Sequence, residues 1–349
     1  MKTTFISTSA ISQATKLSLT KLQAKLADAQ KEVTTSRFAD VGTSLGYQTG
    51  QTVSLRLELS RLTTITDTNA VVATRLDTTQ AALQGIVDNA QSFVGQLLGA
   101  RNSETGPAII QEQAKSTLLS LTDAANTAVN GEYLFSGINA DVKPLNTYDT
   151  SPPSLAQQSV ASAFFAAFGV TQSDPAVANI SVAQMQTFLD GAFASLFDSA
   201  SWSANWSAAS DQNARSRIST SELIETSTNA NEQAIRKLAS AYTMVADLGI
   251  PNLSEETFQA VVDQAVKIAG EALQELTVLQ ANLGTAQERI ADANDRMSIQ
   301  IDILTNHINL LESVDPAEAS VRVSTLLTQI ETAYAMTARI EQLSLLKYL

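Results

Sequence analysis

The chain has 349 residues, enough for two or three domains with separate cores, and its net charge of −13 argues against a general nucleic-acid binder, which needs clustered Lys and Arg. Charged residues make up only 16% of it, so Ser, Thr, Gln and Asn give it a polar surface that poses little electrostatic barrier to close packing of identical copies. There is no cysteine, which excludes disulfides, thiolate metal sites and cysteine nucleophiles.

The opening residues, Met1–Ser9, lack the apolar core of a secretory signal, and no stretch approaches the roughly 18 apolar residues of a membrane span. Composition alone thus predicts a soluble, cytoplasmic protein with no membrane or nucleic-acid partner. From Ile11 to Val33 the positions Ile11, Thr15, Leu19, Leu22, Leu26, Ala29 and Val33 recur at gaps of three and four, uninterrupted by Pro or Gly, which predicts an amphipathic helix. Gly42, Gly46 and Gly50 mark a loop. A second stripe runs Leu55, Leu59, Leu62, Thr66, Asn69, Val72, Leu76, Thr79, Leu83, Ile86, Ala90, Phe93 and Leu97, a heptad-like seam. Gly106-Pro107 then opens a helix through Ile110, Ala114, Leu118, Leu121, Ala125 and Ala128, closed by Asn130-Gly131.

The middle differs in kind. No Lys or Arg occurs from Pro144 to Ala214, while residues 141–212 hold nine of the 19 aromatics. Residues 132–212 are expected to form a compact inserted outer domain with its own small aromatic core, mixing short strands with one or two helices that include Val182–Phe197. Trp202 and Trp206 fit that core better than a ligand groove. Arg217–Thr226 reads as a strand or extended return, followed by a helix from about Asn229 to Leu248.

On the return, Ser254-Glu255-Glu256 is a helix start with acids at the positive end of the dipole. Ala272, Leu276, Leu279, Leu283, Ala286, Ile290, Ala293, Met297, Ile301, Leu304, Ile308 and Leu311 form one stripe, with a stutter at Ala293–Met297–Ile301. At about 1.5 Å per residue this stripe spans on the order of 60 Å, so it must face another long helix. Asp315-Pro316-Ala317-Glu318 starts a last helix carrying Val323, Leu326, Ile330, Ala333, Ile340 and Leu343.

The predicted fold is therefore mainly α: a long antiparallel helical bundle or coiled coil made by the N- and C-terminal regions, with a small mixed outer domain inserted in the middle. The expected division is 1–45 with 313–349 as terminal helices, 46–131 with 213–312 as the long bundle, and 132–212 as the insert. Two terminal helices alone bury too little surface to be stable, so their stripes want partners on other molecules. Leu19, Leu22, Leu26, Val33, Val323, Leu326, Ile330, Ile340 and Leu343 are the candidate subunit contacts.

No catalytic, cofactor or metal constellation emerges. His307 is the sole histidine, and it reads as a half-exposed surface residue; Glu288, Asp292 and Asp295 read as one solvated helix face. The chain is expected not to be an enzyme.

Four stretches carry a resemblance to a known family. Glu32-Val33-Thr34-Thr35-Ser36-Arg37 stands where the family has an I/M-S-T-G-K/R turn. Asn130-Gly131-Glu132-Tyr133-Leu134-Phe135-Ser136-Gly137 is similar to N-G-x-Y-I/L-F-A/S-G, and Leu283-Gly284-Thr285-Ala286-Gln287-Glu288-Arg289-Ile290 to L-G-x-x-Q-x-R-I/L. The ending Ser344-Leu345-Leu346-Lys347-Tyr348-Leu349 is similar to S-L-F/L-x-Y-L/I. The chain resembles the flagellin family over about 1–140 and 213–349, and the second and fourth stretches resemble its hook–filament junction members most. It departs from the pattern at Ser36, where the family has glycine, and at Asp40-Val41-Gly42, where D-D-P is common. The resemblance implies a structural part of the bacterial flagellum, a homo-oligomeric ring adapting hook side to filament. It further implies a neighbouring hook-associated protein and flagellin as partners, a cytoplasmic export chaperone, and an extracellular location reached by flagellar type III export. A filament-building flagellin and a coiled-coil binding module outside the flagellum are the alternatives the sequence leaves open.

Overall fold

The computed structural model describes residues 8–103 and 106–345, with side-chain surroundings for 10–103 and 106–339. The chain forms two compact units, one of residues up to 64 with those from 297 onward, the other Ile65–Arg296.

In the first unit, α1 (Thr8–Thr35) lies against α10 (Pro316–Leu345). The pairing is antiparallel: Arg322 reaches Glu32 at 2.8 Å, while Gln23 Nε2 donates to Tyr334 Oη at 3.1 Å. Asp315 starts α10 as the sequence predicts, its carboxylate accepting from the Ala317 N–H at 2.8 Å. Glu318 does not complete a capping box and pairs instead with Arg322 at 3.0 Å. The glycine-marked segment 42–50 is more ordered than a loop. Asp40 accepts from the Thr43 N–H and hydroxyl, which holds its carboxyl below the usual carboxylate range and starts the short helix α2 (Val41–Leu45). A single 3-10 turn then leads into α3 (Thr49–Ala100).

The second unit takes most of α3 and most of α9 (Glu255–Glu312). Polar bridges fix their antiparallel register: Arg101 holds Asp263 at 2.7 and 2.8 Å, Gln280 donates to Gln84 at 3.3 Å, and Gln287 to Asp77 at 2.6 Å. Along these helices the predicted stripes are buried, Leu76, Leu83, Ile86, Phe93 and Leu97 on α3 with Ala272, Leu276, Ile290 and Ala293 on α9. Asn69 interrupts the apolar seam. Its buried amide donates to the Ile218 carbonyl at 2.9 Å and to Asn294 Oδ1 at 2.7 Å, a contact available in one register only. The helix α4 (Gly106–Ala125) packs on α8 (Gln233–Asp247), which is buried nearly all round.

Several local expectations are corrected. Asn130-Gly131 does not cap a helix. Both residues have positive φ (54° and 85°), the signature of a type I′ turn, and they join β1 (Ala128–Val129) to β2 (Glu132–Tyr133). Within 132–212 the strand content is slight, β2 with isolated bridges at Ser136 and between Leu145 and Ser207, and there are three α-helices where one or two are expected: α5 (Leu155–Phe168), α6 (Val182–Phe188) and α7 (Ser199–Asn205). The expected helix Val182–Phe197 passes into a π turn at Leu189–Phe193 and a 3-10 turn at Ala194–Phe197. The return segment is a hairpin of β3 (Arg215–Arg217) and β4 (Leu223–Glu225) rather than one strand. Finally, α8 starts at Gln233 and not near Asn229, because Asn229 bridges Ser136 and the Ala230 N–H donates to the Phe135 carbonyl at 2.7 Å.

The aromatic cluster of 141–212 is present. Trp206 stacks between Trp202 and Tyr148, each ring centroid 5.1 Å away, and touches Phe197, which leads on to Phe193 and Phe188. The cluster continues into α8 and the segment before it, through Tyr148 Oη on Asp247 at 2.6 Å, Arg236 on the Phe197 carbonyl at 3.0 Å, and Trp202 Nε1 on Asn231 at 3.1 Å. Burial pushes the Asp247 carboxyl above its ordinary range.

Gly137 is a point of close approach between two passes of backbone. Its φ is +65°, and a Cβ there would lie 2.5 Å from the carbonyl oxygens of both Ser210 and Gln212. Gly137→Ala should therefore lower the stability of this unit by roughly 2 kcal/mol or more, read by urea denaturation. An unchanged midpoint would mean that the crossing is slack.

Candidate assembly interface

The first unit is organised around the ends of its helices. Ser36 closes α1 in the left-handed region, φ 54°, with its N–H on the Glu32 carbonyl at 2.8 Å. Glycine suits such a position best, so serine here carries a modest backbone cost. The chain then runs antiparallel to the α9–α10 break. Arg37 bridges Ser313, the Phe38 N–H donates to the Glu312 carbonyl and the Val314 N–H to the Ser36 carbonyl, both at 3.0 Å.

Two buried carboxylates anchor this joint. Glu312 has a side chain with no exposure, yet two cations reach it: Arg56 through Nε at 2.8 Å and a second, shorter contact through Nη2, and Arg37 through Nη1 at 3.7 Å. The Glu312 hydrogen bond holds the Arg56 guanidinium above its ordinary value. Arg37 is itself oriented by Asn309 Oδ1 at 3.0 Å. Glu32, also buried, accepts from Arg322 at 2.8 Å and from the Ala39 N–H at 3.3 Å. No local sequence pattern signals either cluster, because their members lie hundreds of residues apart in the chain.

The candidate contact residues fall on the α1–α10 pair. Leu19, Leu22, Leu26, Val33 and Val323 are half-buried, and Leu326 and Ile330 are buried. The side chains of Ile340 and Leu343 lie outside the described residues, as do the structures of Met1–Ser7 and of the last four residues of the ending motif. Other apolar side chains, missed in the sequence, are exposed: Leu17, Val321, Leu327, Tyr334 and Met336 on this helix pair, with Ile299, Ile303 and Leu310 on α9. His307 is exposed. Among the described residues no cluster of three or more His, Asp or Glu could hold a metal, and no helix is long and apolar enough to cross a membrane.

The N-terminal helical region of bacterial flagellin matches residues 6–140, and the C-terminal helical region of bacterial flagellin matches residues 266–349. The chain belongs to the flagellin family. It is a structural flagellar protein and not an enzyme, of a family whose members assemble into oligomeric flagellar structures. Curated protein sequences give no significant match. Among solved structures, a Vibrio parahaemolyticus protein provisionally described as flagellar hook-associated has a similar fold, with a TM-score of 0.52 at 12% identity over 76% of this chain and 97% of that one.

The joint makes a stability prediction. Glu312→Ala leaves the half-exposed Arg37 and Arg56 without their shared anion and opens a hole where the buried carboxylate sat. It should cost about 3 kcal/mol or more in the unit that contains it, whereas Glu58→Ala, which breaks an exposed pair with Arg61 4.0 Å away, should be close to neutral. Hydrogen exchange of residues 32–40 compares the two. Equal protection in both variants would show that the buried carboxylate is not the anchor.

Proposed function

We propose that this chain is a hook–filament junction subunit, the flagellar role called hook-associated protein 3. It forms a ring of identical copies between a neighbouring hook-associated protein and flagellin, and adapts one helical lattice to the other. The observation that carries this reading is Asn130–Gly137, which matches the junction pattern and sits at a tightly constrained crossing, with a type I′ turn at one end and the buried Gly137 at the other. The Ser344–Leu349 ending and the fold shared with the Vibrio parahaemolyticus protein, itself described as hook-associated, support it.

In this reading residues 1–45 and 313–349 are the terminal assembly helices, 46–131 and 213–312 the supporting bundle, and 132–212 an insert directed away from the assembly axis. The subunit contacts are Leu19, Leu22, Leu26, Val33, Val323, Leu326, Ile330, Ile340 and Leu343, most of which leave apolar surface uncovered after α1 and α10 have met. The chain leaves the cell through the flagellar type III apparatus, guarded by a cytoplasmic chaperone, and functions outside it.

Deleting the gene should leave cells with hooks, no attached filaments, and flagellin in the medium. Leu22→Asp with Leu26→Asp should reproduce that phenotype, since burying unpaired carboxylates costs several kcal/mol in each contact, while the 65–296 unit keeps its thermal transition. Attached filaments in the deletion strain would overturn the junction reading. A filament lost altogether, with no flagellin released, would point to the filament subunit itself.

A further inference from the structure

The helix α9 is apolar on two faces. One is the predicted stripe, buried at Met297 and Ile308. The other runs Asp292, Asp295, Ile299, Asp302, Ile303 and Leu310 at helical spacing, and it is open to solvent, with Ile299 62%, Ile303 51% and Leu310 80% exposed. A face that only meets water has no use for three large aliphatic side chains in line. Nor do its carboxylates have partners: among the described residues, Asp292, Asp295 and Asp302 make no ion pair and no side-chain hydrogen bond.

The complementary surface is on the same chain. One outward strip of α1 carries Leu17, Lys21 and Lys25, with Asp28 one turn beyond Lys25 and Leu17 59% exposed. None of these lysines forms an ion pair among the described residues, and Lys21 and Lys25 repel one another at one-turn spacing. The asymmetry extends through the sequence. Residues 1–40 hold six basic and three acidic side chains, whereas residues 41–312 hold 13 basic and 28 acidic.

We propose that the outward face of α9 receives the lysine face of α1 from a second copy of this chain. The inference rests on the assembly function above and deepens it by naming the two faces that meet. A second copy fits because both halves of the contact, opposite in charge and each with an exposed aliphatic centre, are present and unpaired on one polypeptide. Two different faces of one molecule joined in this way make a head-to-tail contact, which repeats around a ring or helix instead of stopping at a dimer. Charge sets the register and the aliphatic residues supply the area that leaves water.

The absence of cysteine makes a direct test simple. Cells lacking the native gene are given two versions of the full chain, one with Leu17→Cys and one with Ile303→Cys, and their isolated flagella are mildly oxidised. The expected result is a covalent dimer containing one copy of each, lost on reduction; no mixed dimer in flagella that carry filaments would overturn the proposal. The second arm reverses charge. Lys21→Glu with Lys25→Glu, and separately Asp295→Lys with Asp302→Lys, should each cut the fraction of filamented cells about tenfold or more, and the combined variant should recover to within about threefold of the wild type. Both charge sets are exposed, so secreted protein and thermal midpoint should not change. Normal filaments in the single reversals, or no recovery in the combination, would sink the proposed contact and leave the junction function standing. That function fails separately, if the deletion strain itself keeps its filaments.

Discussion

The first unit depends on a carboxylate in a place where a carboxylate is costly. Glu312 is fully buried at the last residue of α9, and its charge is tolerable only because Arg56 grips it from α3 and Arg37 approaches from the turn after α1. The same residue's backbone carbonyl accepts the Phe38 N–H. Two chain segments, α3 and the turn after α1, are thus tied to one side chain and its peptide at the end of α9. The direction in which α10 leaves α9, and with it the pairing of α10 with α1, follows from that tie. An apolar residue at this position would pack well enough, but it would leave two guanidiniums without a common target and the angle of the joint unspecified.

Specificity of a similar kind recurs in the other unit. An apolar stripe with heptad spacing tolerates sliding by whole heptads, since leucine meets leucine equally well in several registers. Asn69 does not tolerate it, because its amide must find both the Ile218 carbonyl and Asn294. The bridges from Gln80 to the Gln280 carbonyl and from Gln287 to Asp77 add further fixed points. For a structural protein built on long helices, a single defined register matters more than the last increment of apolar burial.

How much of this was legible in the sequence follows from the range of each interaction. The long helices were readable because 3.6-residue periodicity is a local property repeated many times, as along Leu276, Leu283, Ile290 and Met297. The start of α10 was readable because capping involves neighbours, Asp315 and Ala317. Asn130-Gly131 was misread because the same dipeptide serves a helix end and a hairpin turn, and only the pairing of Ala128 with Tyr133 decides between them. The aromatic wealth of 141–212 correctly signalled a buried ring cluster, but composition could not show that the cluster runs on into α8. The joint was illegible altogether, since Arg56 and Glu312 meet only once the chain has folded back. The terminal stripes suggest contacts from the sequence alone because their periodicity is local, whereas the exposed Ile299, Ile303 and Leu310 of α9 stand out only once the buried side of that helix is known.

The two flagellin regions stop at residue 140 and resume at residue 266, and the intervening stretch explains how they are held. It contains α8, which packs on α4 of the first region, and the hairpin whose Glu222 receives Arg289 of the second, at 2.7 Å. Ile218 of the same hairpin accepts the amide of Asn69, from the first region again. The middle of the chain is therefore more than a load carried by a helical frame. Its inner elements fasten the outgoing and returning helices of the 65–296 unit to one another, so substitutions at Ile218 or Glu222 belong with the frame, while those at the exposed ends of α5 and α6 alter only the surface it presents.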